Sequence, residues 1–199
     1  MTIQIRLVSM ADASQIRDIY APIVRETPTS FEYDVPTVSD IEERITKALH
    51  QYPWLVCDIN GQIAGYTYGS SFRPRTAYQW TTEVTAYIHS EFHRRGIGRG
   101  LYTSLFTILR EQGYVNAVSV ITVPNDASIG LHESMGFEKI GVFMNMGYKF
   151  EGWHSTGWWQ LELCPMPSNP QPPTSITELS KQPHFGDLLQ SGCNLIRTN

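Results

Sequence analysis

The segment from residue 94 to residue 100 combines three arginines with three glycines, a composition suited to binding a phosphate-bearing ligand. Its sequence is Arg94-Arg95-Gly96-Ile97-Gly98-Arg99-Gly100. A strand-like segment precedes it and apolar residues at helical spacing follow it, so we expect it to open a helix. The first amides of a helix lack intrahelical acceptors and carry the positive end of the helix dipole. Glycines let a phosphate approach the backbone closely, and arginines add charge-assisted donors.

Glu83 and His132 are the side chains best suited to proton transfer. Glu83 lies in a predicted strand directly ahead of the turn, where a carboxylate is costly unless it faces a polar cleft. The alternative for Glu83 is an exposed position on the solvated face of that strand. His132 lies in the middle of a predicted short helix, and its alternative is a hydrogen-bonded histidine on a half-buried face. Both residues are therefore candidates for acid–base catalysis.

The elements that must position these residues alternate between strands and helices along the chain. The predicted strands cover residues 3–8, 54–59, 63–70, 78–89, 115–123, 137–148 and 157–163. Predicted helices begin after residues 9, 37, 100 and 125. Asn60-Gly61 between two strands is typical of a tight hairpin. This order predicts an α/β (α+β) fold, a single domain whose central mixed, mostly antiparallel sheet is flanked by helices.

Composition restricts the class of protein. With 199 residues and 41% apolar content, the chain can form one sizeable core. A net charge of −4 gives no indication of nucleic-acid binding. No apolar run is long enough to span a membrane, no signal-peptide pattern opens the chain, and three scattered cysteines form no disulfide framework. We therefore expect a cytoplasmic protein.

A metal site is not predicted. His89 and His93 flank Glu91, but this segment leads into the glycine turn and no third ligand has suitable local spacing.

The composition changes after Leu163. Five prolines fall between residues 165 and 173, and the rest of the chain is mostly polar. We expect one domain over residues 1–164 and a proline-rich linker with a C-terminal extension over residues 165–199. That extension is either a docking arm or partly disordered.

Two common phosphate-binding motifs do not fit the turn. A Walker loop needs Gly-Lys-Ser/Thr after its spacer, and a dinucleotide fingerprint needs Gly-x-Gly-x-x-Gly. The spacing here is Arg95-x-x-Gly98-x-Gly100, which resembles the pyrophosphate-binding motif of the GNAT (Gcn5-related) N-acetyltransferases. Membership of that superfamily implies that the turn holds acetyl-CoA as co-substrate. The alternative is a turn that only joins a strand to a helix.

Later segments narrow the resemblance to the phosphinothricin N-acetyltransferases, over about residues 3–165. They are Thr85-Ala86-Tyr87-Ile88, Val123-Pro124-Asn125-Asp126-Ala127-Ser128, Leu131-His132-Glu133 and Gly147-Tyr148-Lys149. The resemblance implies a homodimeric enzyme that acetylates a small amino acid directly, without an acetylated enzyme. It assigns Glu83 and His132 to activation of the amine. His132 stands where the wider superfamily usually has a tyrosine that protonates the CoA thiolate, so we expect it to replace that acid.

The resemblance also implies which residues hold the two substrates. The backbone of Tyr87 and Ile88 would hold the thioester carbonyl and the pantetheine arm, and Asn125 would contact the coenzyme near the reacting centre. The other expected acetyl-CoA-binding residues are Arg94, Arg95, Gly96, Ile97, Gly98, Arg99, Gly100 and Ser128.

The expected acceptor-binding residues are Phe31, Arg73, Arg75 and Tyr87. The family acetylates small amino acids with an anionic or strongly polar head, such as phosphinothricin or methionine sulfone and sulfoximine. Arg73 and Arg75 would clamp that head, because guanidinium binds carboxylate and phosphinate in bidentate fashion. The alternative for the two arginines is a basic surface loop.

Two other functions stay open. The same fold could acetylate protein N-termini or polyamines, although Arg73 and Arg75 argue against the acidic groove that such acceptors need. A CoA-binding regulatory module without turnover is the second alternative, and the presence of both Glu83 and His132 favours an enzyme instead. The physiological acceptor and a role in herbicide resistance also stay open.

Overall fold

Seven strands form one sheet in the order β1-β2-β3-β4-β5-β7-β6. The computed structural model describes residues 2–197. The strands are β1 Ile3–Leu7, β2 Trp54–Ile59, β3 Gln62–Ser71, β4 Thr81–Ile88, β5 Asn116–Val123, β6 Glu138–Lys149 and β7 Gly152–Glu162. The helices are α1 Ala13–Glu26, α2 Val38–Ala48, α3 Ile97–Gln112, α4 Asp126–Ser134, α5 Ile176–Leu179 and α6 Phe185–Gln190. The prediction of a single domain with a mixed, mostly antiparallel sheet is confirmed.

The pairing of β4 with β5 is the feature of the sheet that matters most for function. These two strands run parallel, whereas all other neighbouring strands run antiparallel. They pair only where residues 81–83 lie beside residues 116–118. Beyond Glu83 the strands separate, so the second half of β4 has no β5 partner. The separation opens the sheet between them.

Apolar side chains cover both faces of the sheet. Helix α3 buries Leu101, Leu105 and Leu109 against one face. On the other face, α1 and α2 bury residues that include Ile16 and Ile45. Burial of each such side chain contributes roughly 1.5–3 kcal/mol to the free energy of unfolding. The two helix layers therefore stabilise the sheet on both sides of the opening.

Local sequence signals explain several element boundaries. Asn60 and Gly61 both adopt positive φ, at 53° and 87°, as the predicted hairpin between β2 and β3 requires. Helix α2 begins with a capping box in which Thr37 and Asp40 exchange hydrogen bonds. Helix α3 begins after Gly96, which has a φ of 80°. The residue types at these three boundaries therefore favour the hairpin and the two helix starts.

The hairpin between β6 and β7 differs from the prediction. Strand β7 begins at Gly152, five residues before the predicted start at residue 157. Phe150 and Glu151 form the turn with φ values of 50° and 57°. Neither residue type favours positive φ, so this turn carries no sequence signal.

The C-terminal residues pack on the same face as α3. Ile176, Leu179, Phe185 and Ile196 are buried in the core that α3 forms with the sheet. The Gln190 side-chain amide donates to the main-chain oxygen of Ile5, at 2.6 Å. The predicted boundary after residue 164 stays a prediction, and the two short helices α5 and α6 lacked a periodic pattern that would predict them.

None of the helices within residues 2–197 is both long enough and apolar enough to cross a membrane.

Candidate active site

The separation of β4 from β5 creates a cleft of about 300 Å³. Most of its lining comes from β4, β5, α4 with the residue before it, and the loop between α1 and α2, and β3, α3 and β7 each add one residue. Glu83, Tyr87, Asn125, Ser128, His132 and Phe31 are all among the lining residues. Six of the residues singled out from the sequence therefore meet at one cleft.

Glu83 is the last residue of β4 that pairs with β5, and it lies beside Ser70 of β3 and Val118 of β5. Its side chain is half-buried. No hydrogen bond or ion pair reaches its carboxylate from any residue between 2 and 197. Because desolvation disfavours the charged form, burial raises the pKa of Glu83 above its ordinary value. An unpaired carboxylate of raised pKa in a cleft is suited to accept a proton.

His132 is buried, and both of its ring nitrogens are hydrogen-bonded. Nδ1 lies 2.7 Å from the main-chain oxygen of Ser128, which can only accept, so Nδ1 carries the hydrogen. Nε2 lies 2.9 Å from the Tyr102 hydroxyl and accepts from it. Burial lowers the pKa of His132, although the hydrogen bond to Ser128 opposes this shift. The histidine is therefore neutral and directs no proton of its own into the cleft.

Tyr102 is a member of the site that the sequence did not reveal. It belongs to α3, is fully buried, and lines the cleft beside His132. Burial raises the pKa of its phenol well above the ordinary value, so the hydroxyl keeps its proton. In the sequence Tyr102 falls on the apolar stripe of α3 and reads as a core residue. Only its partnership with His132 distinguishes it.

The turn before α3 presents free backbone donors. Arg94 and Gly96 adopt positive φ, at 62° and 80°, and the first intrahelical bond runs from Gly100 N to Gly96 O. Within the described part of the chain, the amides of Ile97, Gly98 and Arg99 have no hydrogen-bond acceptor. Three unpaired amides at the positive end of a sixteen-residue helix fit a pyrophosphate.

The remaining predicted cofactor residues occupy distinct positions. The side-chain oxygen of Asn125 accepts from Ser128 N at 3.2 Å and so begins α4. The Arg95 guanidinium lies over the Phe92 ring, 5.2 Å from its centroid. Ile88 ends β4 and packs against the core formed with α3 rather than lining the cleft. The main-chain oxygen of Ile88 lies 3.1 Å from Nε2 of His93.

Arg73 and Arg75 do not line the cleft that contains Glu83. The Arg73 guanidinium lies 5.3 Å from the centroid of the Phe72 ring, beside a separate pocket of about 390 Å³. Val118 and Trp158 also line this pocket. Val118 of β5, which lines this pocket, is the register partner of Glu83 of β4, which lines the cleft. The pocket and the cleft are therefore adjacent. Arg75 is exposed at the start of a short 3-10 turn.

No cluster of three or more histidine, cysteine, aspartate or glutamate side chains suited to a metal ion occurs among residues 2–197.

Comparison with known proteins identifies the family. A model of the acetyltransferase (GNAT) domain matches residues 5–158. The chain belongs to the GNAT acetyltransferases. A phosphinothricin N-acetyltransferase from Streptomyces viridochromogenes is 33% identical over 177 residues, covering 89% of this chain and 96% of that enzyme. An L-methionine sulfoximine/L-methionine sulfone acetyltransferase from Pseudomonas aeruginosa is 34% identical, covering 85% of this chain and 100% of that enzyme.

Solved structures agree with this assignment. A GNAT phosphinothricin acetyltransferase from Sinorhizobium meliloti in complex with AcCoA matches with a TM-score of 0.80 at 30% identity. That match covers 88% of this chain and 99% of that chain. A putative acetyltransferase from Salmonella typhimurium with its cofactor acetyl-CoA also matches, with a TM-score of 0.80 at 28% identity over 86% of this chain and 99% of that chain. The prediction of a GNAT N-acetyltransferase with acetyl-CoA as co-substrate is confirmed.

Proposed function

We propose that this enzyme transfers the acetyl group of acetyl-CoA to the α-amine of a small amino acid with a strongly polar or anionic side chain. Phosphinothricin and the sulfone and sulfoximine of methionine are the candidate acceptors. The observation that carries the proposal is the unpaired, half-buried Glu83 carboxylate in the cleft between β4 and β5. The relatives named for these acceptors support the same substrate class.

Glu83 acts as the general base. An ammonium group has no lone pair, so it must lose a proton before it can attack the thioester carbonyl. Desolvation strengthens Glu83 as a base, and its freedom from other partners leaves it available to the incoming amine. The first proton of the ammonium passes to Glu83, and the new C–N bond forms as the C–S bond breaks and CoA leaves as a thiolate. The nitrogen then loses its second proton as the thiolate is protonated, which leaves a neutral amide and a thiol.

Tyr102 and His132 act together on the leaving thiolate. Tyr102 keeps its hydroxyl proton at neutral pH, and His132 Nε2 accepts a hydrogen bond from that hydroxyl. Ser128 fixes the tautomer of His132 through Nδ1. Tyr102 would turn its hydroxyl from His132 Nε2 to the thiolate and give sulfur its proton, and it would then take up the second proton released by the new amide nitrogen. His132 would hold the hydroxyl in place until the thiolate forms. This assignment replaces the direct proton donation expected of His132.

Acetyl-CoA fits the donor half of the cleft, where it would supply the activated acetyl group. Main-chain groups of β4 beyond Glu83 have no β5 partner and would hold the thioester carbonyl and the pantetheine arm. The free amides of residues 97–99, with Arg94, Arg95 and Arg99, would hold the pyrophosphate.

Phe31 and Arg73 would bind the acceptor. Phe31 lines the cleft, and its ring packs so closely on Gly147 that a Cβ at residue 147 would overlap it. Arg73 lies at the adjoining pocket, one strand from Glu83, where its guanidinium would bind an anionic head. The exposed Arg75 has the weaker claim to such a role.

A homodimer is the second part of the proposal. Strand β6 forms one edge of the sheet, and it exposes Phe143, Met144 and Met146 by more than half of their surface. A long apolar edge strand is prone to pair with another chain. A second copy of this chain would cover that edge. Light scattering of the purified enzyme tests this proposal, and a monomer at micromolar concentration would contradict it.

A thiol-release assay tests the proposed activity. Acetyl-CoA is incubated with the enzyme and a panel of amino acids, N-terminal peptides and polyamines. We expect release of CoA only with small polar or anionic amino acids. Release with peptides or polyamines alone would contradict the proposed acceptor class, and absence of release with every amine would contradict the proposed enzyme.

A further inference from the structure

Residues 189–197, which we call the C-terminal strap, lie along the first turns of α3. The Ser104 hydroxyl, fully buried on α3, connects the two segments. It donates to the main-chain oxygen of Leu189 at 2.7 Å and accepts from Gly192 N at 3.1 Å. A single side chain of α3 thus holds the strap at two main-chain groups.

Two glycines allow the strap and α3 to touch through their backbones. A Cβ at Gly192 would overlap the main-chain oxygen of Gly100. A Cβ at Gly100 would stand 2.8 Å from the oxygen of Gly192 and from Cγ1 of Ile196. Neither position has room for a side chain, so the contact requires glycine on both segments.

The strap then reaches the turn itself. The main-chain oxygen of Leu195 occupies the place where a Cβ of Gly96 would stand. Arg197 N donates to the main-chain oxygen of Arg95, at 2.8 Å. These contacts fix the two residues that directly precede the free amides of Ile97 and Gly98. The glycines of the turn therefore accommodate the strap as well as leaving the backbone open to a phosphate.

We propose that the C-terminal strap is a positioning element of the acetyl-CoA site. It holds the turn in the shape that directs the amides of residues 97–99 toward the pyrophosphate. Arg94 has a φ of 62°, a conformation that is unfavourable for a residue with a side chain and that an unsupported turn would leave easily. A turn that is ordered before binding spares the ligand the cost of ordering it.

The strap lies outside the segment that defines the family. The GNAT domain model ends at residue 158. The match to the Pseudomonas aeruginosa enzyme covers all of that enzyme and 85% of this chain. The strap therefore supports the turn from outside the segment that the GNAT domain model matches. The proposal rests on the turn as the pyrophosphate site and does not depend on which amine is acetylated.

Gly192→Ala tests the proposal, because a methyl group there must push the strap away from Gly100. Gly186→Ala is the matched control, since a Cβ at residue 186 meets nothing within 4 Å. The full-length variants are titrated with CoA by calorimetry, without an acceptor. We expect the affinity for CoA to fall about tenfold in Gly192→Ala, as loss of main-chain contacts of this kind would give. Gly186→Ala should bind like the parent.

A truncated donor separates positioning from a general loss of structure. S-acetylpantetheine lacks the pyrophosphate. With this donor, kcat/KM of Gly192→Ala should stay within about twofold of that of the parent enzyme, whereas with acetyl-CoA it should fall about tenfold. An equal fall with both donors would overturn the proposal, and so would unchanged affinity for CoA in a folded Gly192→Ala.

Ser104→Ala provides a second variant if Gly192→Ala does not fold. It removes the two hydrogen bonds between Ser104 and the strap and leaves the glycine contacts in place. The same selective loss of affinity for CoA is expected. Normal binding of CoA by a folded Ser104→Ala whose strap has become accessible to proteolysis would overturn the proposal. Because CoA titration needs no acceptor, these results stand even if the proposed amino-acid acceptor is wrong.

Discussion

Replacement of Glu83 by glutamine should lower activity and raise stability. The change removes the general base and keeps the size of the side chain. General-base catalysis contributes about 10²–10⁴-fold to a rate. We therefore expect kcat/KM for the acceptor to fall by that factor, equivalent to about 2.7–5.4 kcal/mol of transition-state stabilisation.

The stability effect has the opposite sign because of burial. Desolvation raises the pKa of Glu83 above its ordinary value of 4.5, and no basic side chain among residues 2–197 pairs with it to offset the cost of the charged form. Between 4.5 and the raised pKa the folded protein binds more protons than the unfolded chain, so stability falls as pH rises through this window. At neutral pH the folded state bears the full cost of the ionised carboxylate. Glutamine removes that cost, so Tm at neutral pH should rise.

Two measurements on the same variant test this reasoning. Steady-state kinetics should show that the acidic limb of the wild-type pH profile, set by Glu83 above pH 4.5, disappears in Glu83→Gln. Thermal unfolding should show the increase in Tm at neutral pH and a smaller increase as pH falls toward 4.5. Glu91→Gln, at an exposed carboxylate, is the control and should change neither property. Full activity, or a lower Tm at neutral pH, would refute the role given to Glu83.

Three further changes separate the remaining roles. Tyr102→Phe should lower kcat by about 10²-fold with little change in the KM for acetyl-CoA, and a normal kcat would exclude Tyr102 as the proton donor. Lys149→Met should reduce the free energy of unfolding, measured by urea titration, by about 3 kcal/mol. The reason is that the buried Lys149 ammonium donates to three main-chain oxygens within 3.1 Å. A loss below about 1 kcal/mol would show that those bonds contribute little. Arg73→Gln should raise the KM for an anionic acceptor about tenfold, whereas Arg75→Gln should change that KM less than twofold. Equal effects of the two substitutions would contradict the proposal that Arg73 binds the acceptor and Arg75 does not.

The sequence was most informative where function restricts residue type along a short segment. A phosphate site in the turn at residues 94–100 requires unpaired amides, space next to the backbone and positive charge. The glycines and arginines of the segment indicate these properties directly. The Asn60-Gly61 hairpin was predictable for a similar reason, because few residue pairs adopt two positive φ values.

The site became less predictable where function depends on a tertiary partner. His132 was found through a motif, yet its hydrogen bonds to Ser128 and Tyr102 change the role that we give it. Tyr102 looks like any other aromatic residue on the apolar face of α3. Its role arises only because α3 and α4 bring the two rings together across 30 residues of sequence.

The C-terminal strap was hidden for another reason. Its apolar residues are sparse, and its close contacts depend on the absence of side chains at Gly192 and Gly100. A glycine that accepts a distant backbone cannot be told from a glycine in a flexible tail without the fold. The same limit applies to the β6–β7 turn, where Phe150 and Glu151 adopt positive φ without a favourable residue type.

The most direct test of the proposed activity is identification of the product by mass spectrometry. The enzyme is incubated with acetyl-CoA and L-phosphinothricin, or with methionine sulfone, and the acceptor is recovered and fragmented. We predict that the mass increases by one acetyl group, carried on the α-nitrogen, and that this product is nearly absent with Glu83→Gln. Recovery of unmodified acceptor, or the same product yield from Glu83→Gln, would contradict the account.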